Sequence, residues 1–222
     1  MLEGVALLCR SSCHGEGGRL LRLFAKEGGV LSTYFMPRRL GGVPSPLDEV
    51  EVVLNHGRGE LWLCKELRVV RSWGSLRTSL DRLTYGSELL GALLHSREEA
   101  VASPLLYDLT VDYLERVCRG ESGVKLLASY YLKLLRHEGL WRWGTSCSFC
   151  GSQNEAHWFA FGEELFCRAH TPAGAICLDE EAWLALELLA YCRGGHEFSL
   201  LSDRLAVRVL PLARALFFMR MG

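Results

Sequence analysis

The sequence predicts an α+β protein. A small antiparallel β-barrel is expected over residues 1–73, followed by a helical domain over residues 74–222 with a metal-binding hairpin inserted at about 144–174. Three observations carry this expectation. Apolar residues recur with period two up to about residue 71. The period changes to that of a helix from about residue 74. Two short cysteine-bearing turns flank an alternating stretch near residue 160.

The barrel is read from five short runs. Leu2 to Arg10 is apolar and short, and Arg19 to Ala25 alternates, with Leu21 and Leu23 on one face and Arg22 and Phe24 on the other. Gly28 and Gly29 suit a tight turn before Val30 to Met36. PRRLGGVPSPL, residues 37–47, holds three of the six prolines and reads as an exposed loop. Glu49 to Leu54 alternates charged and apolar residues, NHGRG turns the chain, and Glu60 to Val70 returns as the fifth strand. Strands this short and this closely spaced suit a small barrel, with an open sheet as the alternative.

Three helices are expected next. Leu76, Leu80, Leu83, Leu90 and Leu94 define the first, capped by Ser75 or Ser79. Leu105, Leu109, Tyr113, Leu114 and Val117 define the second. Val124, Leu127, Tyr131, Leu134 and Leu135 define the third, which Gly139 ends. After the hairpin, residues 179–193 open with three acids, as a helix N-terminus favours. Residues 200–219 form a last helix with a break or kink at Pro211.

Composition sets bounds. The 222 residues are 49% apolar and 23% charged with a net charge of -1, which excludes a disordered or polybasic chain. No apolar run reaches the roughly 20 residues of a membrane span. The first residues carry no cationic leader and do not read as a signal peptide, so a cytoplasmic protein is expected. No nucleophile elbow, P-loop, H-E-x-x-H or strand-linked G-x-G-x-x-G occurs, and no enzymatic activity is expected.

The sharpest motif is Cys147-x2-Cys150-x16-Cys167-x2-His170. Tetrahedral zinc takes four soft or borderline ligands, and two turns that each present a pair of them make a ribbon. Gly151 directly after Cys150 suits the first turn, and the alternating stretch from His157 to Phe161 supplies the hairpin. Four protein ligands leave no open position, so one structural Zn2+ is expected. His157 is a rival fourth ligand, and Cys177, outside both pairs, is expected to be a packed thiol.

Charge is segregated. Residues 1–78 carry eleven Lys or Arg and eight Asp or Glu, and the remainder is net acidic. Arg19, Arg22, Lys26, Arg38 and Arg39 lie among Phe24, Tyr34 and Phe35. Cations along a groove suit phosphates and aromatic faces suit bases, although a solvated sheet face would have the same composition.

The order of parts resembles the RecO family. Arg10 to Phe24, with Gly15 and Glu16, is similar to that family's opening R-x-x-x-x-G-E-x-x-R-L-L-x-L-F, and Lys26-Glu27-Gly28-Gly29 leading to Pro37-Arg38-Arg39 resembles its next stretch. The C-x-x-C-G ribbon follows in the same order. The resemblance implies an N-terminal OB-fold, a helical domain and a zinc-binding element whose last ligand is commonly Cys rather than the His170 found here. It implies a recombination and DNA-repair mediator that binds single- and double-stranded DNA and anneals complementary strands. It also implies RecR as the partner with which the recombinase is loaded, in a cytoplasmic, nucleoid-associated setting. DNA contacts are assigned to Arg19, Arg22, Lys26, Arg38 and Arg39. The family's helical domain receives the acidic C-terminal tail of single-stranded DNA-binding protein, and Tyr130, Lys133, Leu134 and Arg136 fit such a pocket at helical spacing. A zinc-stabilised protein-interaction scaffold with weak or no DNA binding is the alternative.

Overall fold

The computed structural model describes residues 1–37, 44–57, 59–141, 146–153, 157–161, 164–193 and 195–221. The chain divides into two compact units, Met1–Glu121 and Ser122–Gly222. The change of period near residue 74 therefore falls inside the first unit, whose helices complete it.

The first unit begins with five strands: β1 (Leu2–His14), β2 (Gly18–Ala25), β3 (Gly29–Phe35), β4 (Asp48–His56) and β5 (Leu61–Ser72). They close a barrel in the order β1-β2-β3-β5-β4. The pairings are antiparallel except β3 with β5, which is parallel. Alternation explains the core: Leu21, Leu23 and Ala25 point inward with Ala6, Leu8, Leu31, Val50, Val52 and Leu54. Phe24 points outward and is buried against Tyr107 of the second helix, ring centroids 6.1 Å apart.

The register of β1 against β2 slips between Leu8 and Arg10, leaving Cys9 as a bulge. Leu8 is inside, and the extra residue turns Arg10, two positions on, to the outer face opposite Arg22. A strict period of two would have put Arg10 on the inner face with Leu8.

Two helices finish the unit, α1 (Leu80–His95), preceded by Ser79 as its N-cap residue, and α2 (Pro104–Cys118). Their buried stripes differ from the expected ones. Leu76 lies in a separate short turn, Leu80 is 79% exposed, and α1 buries Gly86, Leu89, Leu90, Ala92 and Leu93. Leu105 is 77% exposed, and α2 buries Leu106, Tyr107, Thr110, Tyr113, Leu114 and Val117. In both, adjacent leucines allow two helical stripes, and packing selects the one next to it.

Polar pairs tie the helical segment to the barrel. Tyr107 Oη donates to Glu49 Oε1 at 2.8 Å, Arg77 donates to Asp48 at 2.8 Å, and Arg71 pairs with Glu115.

The second unit is built on α3 (Gly123–His137), ended by Gly139 at φ 73°. It packs against α4 (Glu180–Tyr191) and α6 (Asp203–Met221), with a short α5 (Gly195–Ser199) between them. Asp179 caps α4 by accepting from the Ala182 amide at 2.8 Å, and Pro211 lies inside α6. Strands β6 (His157–Phe161), β7 (Glu164–Phe166) and β8 (Ile176–Asp179) form a sheet in the order β7-β6-β8. The unexpected β8 makes the hairpin a three-stranded element running directly into α4. Cys177 lies on β8 and is exposed, not packed, because Leu178 takes the buried side of that strand.

Candidate metal centre and nucleic-acid face

Cys147 and Cys150 sit on the turn before β6, and Cys167 and His170 on the turn after β7. Local hydrogen bonds fix both turns. The Gly151 amide donates to Cys147 O at 2.8 Å, with Gly151 at φ 73°, and the Ser148 amide donates to Leu165 O at 2.8 Å, fastening the first turn to β7. The His170 amide donates to Cys167 O at 3.1 Å.

One ligand atom from each of the four residues lies within 4.8 Å of the others. The Cys150 and Cys167 sulfurs are 3.8 Å apart, and His170 Nδ1 is 3.1 Å from the Cys167 sulfur and 4.0 Å from that of Cys147. Bonds of about 2.3 Å to sulfur and about 2.0 Å to nitrogen at tetrahedral angles require edges of about 3.5–3.8 Å, so the residues fit a metal ion. Burial opposes the Cys147 thiolate, but backbone hydrogen bonds from Cys167, Cys150 and Phe149 pull its thiol down to about 6. The Ser152 amide favours the Cys150 thiolate, yet desolvation and the neighbouring sulfurs leave that thiol raised. The exposed Phe149 lies over the His170 ring, centroids 4.4 Å apart. The side chain of His157, the rival ligand, lies outside the described residues.

The expected DNA residues separate. Arg38 and Arg39 lie outside the described residues. Arg19 donates to Ser11 at 3.2 Å, and its position in β2 puts it in phase with Leu21 rather than with Arg22. Arg22 and Lys26 are in phase with each other and each meets a carboxylate: Arg22 pairs with Glu99, and Lys26 with Asp108 at 2.7 Å.

Arg10, which strand alternation hid, is exposed beside Arg22 and makes no ion pair among the described residues. The next outward row is Ser12, Leu20, Tyr34 and Leu63 on β1, β2, β3 and β5. The Tyr34 ring meets His14 edge-on at 6.0 Å and lies where a side chain on Gly18 would be, its Oη 2.4 Å from a Cβ built there. Glycine at position 18 thus lets the ring lie against the hairpin. An outward sheet face of a five-stranded barrel carries paired arginines, a tyrosine and a leucine row.

The expected partner pocket on α3 is not open. Tyr130 and Leu134 are each 0% exposed, because α3 is covered by α4 and α6. Lys133 is half-buried. Arg136 reaches the surface, donating to Ala190 O at 2.6 Å with its guanidinium 4.0 Å from the Tyr191 ring centre.

Among the described residues no helix is long and apolar enough to cross a membrane. Barrel, helices and a Cys3His ribbon define an OB-type barrel protein with an appended helical metal-binding unit. Sequence comparison gives the family. Residues 77–204 match the profile described as "Recombination protein O C terminal". A DNA repair protein RecO of Myxococcus xanthus is 30% identical over 181 residues, 78% of this chain and 69% of the relative. Those of Exiguobacterium sibiricum, 29% identical over 76% of this chain and 69% of the relative, and Chlamydia muridarum, 24% identical over 83% and 77%, are also similar. The chain belongs to the RecO family.

Proposed function

We propose that this protein is a non-enzymatic DNA repair and recombination mediator, and that the outer face of β1, β2, β3 and β5 binds single-stranded DNA. The observation that carries the reading is the placement of Arg10 and Arg22 side by side, one row from Tyr34, on an OB-type strand face. Two cations screen neighbouring phosphates, and an aromatic ring lets an unpaired base stack without regard to sequence. Neutralising backbone charge lowers the repulsion between two strands, which supports annealing of complementary strands and binding of the duplex product. RecR and the recombinase are the proposed partners in loading, as for the family, in a cytoplasmic and nucleoid-associated setting. For the acidic tail of single-stranded DNA-binding protein, Arg136 and the exposed Tyr191 are the cation and ring on offer.

The ion of the Cys3His site is proposed to be a structural zinc, since three thiolates and an imidazole suit that metal and fill its coordination. Cys147, Cys150, Cys167 and His170 would hold it, joining the two turns of the ribbon.

The ion pairs of Arg22 and Lys26 favour a second reading, a zinc-stabilised interaction scaffold with weak DNA binding. One titration separates the two. Fluorescence anisotropy of labelled oligothymidylate across salt concentrations should give an affinity that falls steeply with salt. Arg10→Gln should weaken it and lower the slope by about 0.7. Binding with no salt slope, or unchanged in Arg10→Gln, refutes the assignment of this face.

A further inference from the structure

The segment joining α1 to α2 runs along the barrel. Its Glu99 bridges to Val30 of β3 in parallel, and the Ala100 amide donates to Val30 O at 2.9 Å. Ala100 is held at φ 58°, in the left-handed region, and Val101 presses so close to Gly29 that a Cβ there would lie 2.3 Å from its carbonyl oxygen. The backbone thus fixes Glu99 along the edge of β3, where Arg22 reaches it from β2 across Ser32. Its carboxylate accepts from Arg22 Nη1, the same nitrogen that donates to Ser32 Oγ. The pair is partly open to water, with side chains 28% and 41% exposed.

A carboxylate on an arginine that faces outward from the barrel has the charge and acceptor geometry of a bound phosphate. We propose that Glu99 is an internal phosphate mimic: it occupies Arg22 in the free protein and is exchanged for a DNA phosphate on binding. This rests on the reading that DNA binds the face holding Arg10 and Arg22. An isolated phosphate gains little by displacing Glu99, whereas a strand that also engages Arg10 and Tyr34 gains several contacts at once. The strap therefore makes the face selective for a polyanion.

The exchange leaves a signature in salt dependence. A phosphate on Arg22 releases condensed cations from DNA, but the stranded Glu99 carboxylate takes up a cation in return. The parent's salt slope should thus be shallower than its phosphate contacts alone would give. Glu99→Gln should bind oligothymidylate about two- to fivefold more tightly at low salt, the range of an exposed ion pair, and steepen the slope by up to about 0.7. Glu98→Gln makes the same change of net charge one residue away, and should leave the slope unaltered. In an Arg22→Gln background the gain from Glu99→Gln should vanish, because the partner it frees is gone.

The variants are compared by anisotropy across a salt series, with circular dichroism melts to establish folding. If Arg22→Gln weakens binding while Glu99→Gln matches Glu98→Gln in affinity and slope, the mimicry is overturned and the DNA face stands. If the gain from Glu99→Gln persists without Arg22, the effect is one of net charge and the exchange is overturned. If neither Arg10→Gln nor Arg22→Gln alters binding, the DNA face itself fails and the mimicry fails with it.

Discussion

Tyr107→Phe removes one oxygen from the junction of α2 with the barrel and leaves the ring that packs on Phe24. That oxygen donates to Glu49 Oε1 at 2.8 Å, and Glu49 is only 7% exposed. Among the described residues the other carboxylate oxygen accepts no hydrogen bond: Arg71 Nε is 3.2 Å from it, near enough for charge attraction but not aligned to donate. Without the hydroxyl, a buried carboxylate would keep one charge contact and no hydrogen bond. A hydrogen bond to a charged group contributes about 1.5–3 kcal/mol, and no cavity forms to add to the loss. The first unit should therefore lose about 2 kcal/mol. Glu49→Gln keeps an acceptor for Tyr107 and gives up the charge assistance of that bond and the attraction of a half-exposed guanidinium, together about 1 kcal/mol once the lower cost of burying a neutral amide is set against them. Hydrogen exchange read by mass spectrometry isolates the unit: amides of β4 and α2 that open with it should lose about thirtyfold in protection in Tyr107→Phe, and several-fold or less in Glu49→Gln. Protection in Tyr107→Phe within twofold of the parent, or a greater loss in Glu49→Gln, would refute this account of the junction.

Three further outcomes follow from other sites. Cys150→Ser should lower metal content measured by elemental analysis and deprotect β6, β7 and β8, since a ligand set of this kind couples roughly 10 kcal/mol or more of binding to local folding. The first unit should destabilise between about pH 9 and pH 12: burial raises the Cys9 thiol to about 12 and the Cys64 thiol to about 11, and raises Tyr107 by burial and by its bond to Glu49. Each group then prefers its neutral form when folded, so stability is whole below the unfolded pKa and is lost as pH rises toward the folded one; a melting temperature constant across that range would contradict it. Asp179→Ala removes the cap of α4 and a partner of Arg208, and should cost the second unit about 1 kcal/mol by urea denaturation.

The sequence was most informative where chemistry is local. Two residues between ligands oblige Cys147 and Cys150 to share one turn, and the same spacing holds Cys167 and His170 on another. Asp179 ahead of two glutamates reads as a helix start for equally local reasons. What stayed hidden depends on partners distant in the chain. Arg10 is turned outward by a bulge that strict alternation cannot register. Glu99 and Arg22 are 77 residues apart, and charge counting places them in different regions without joining them. Tyr130 and Leu134 fitted a surface pocket at helical spacing, yet the helices that cover them are formed by residues after 179. The parallel meeting of β3 and β5 is likewise a matter of closure, not of any local run.

That closure has a consequence for synthesis. A chain emerging from the ribosome can pair β1, β2 and β3 as a meander at once, but β3 keeps a bare edge until β5, ending at Ser72, has been made. The outer side of the meander carries Phe24, whose cover, Tyr107, arrives about 80 residues later. Until β5 is complete the nascent protein displays an open strand edge and an apolar face together, the combination that recruits neighbouring chains, and the face stays bare until Tyr107 is made. Slowing translation between residues 35 and 118 should therefore lengthen its dependence on chaperones, whereas the same delay after α2 should not.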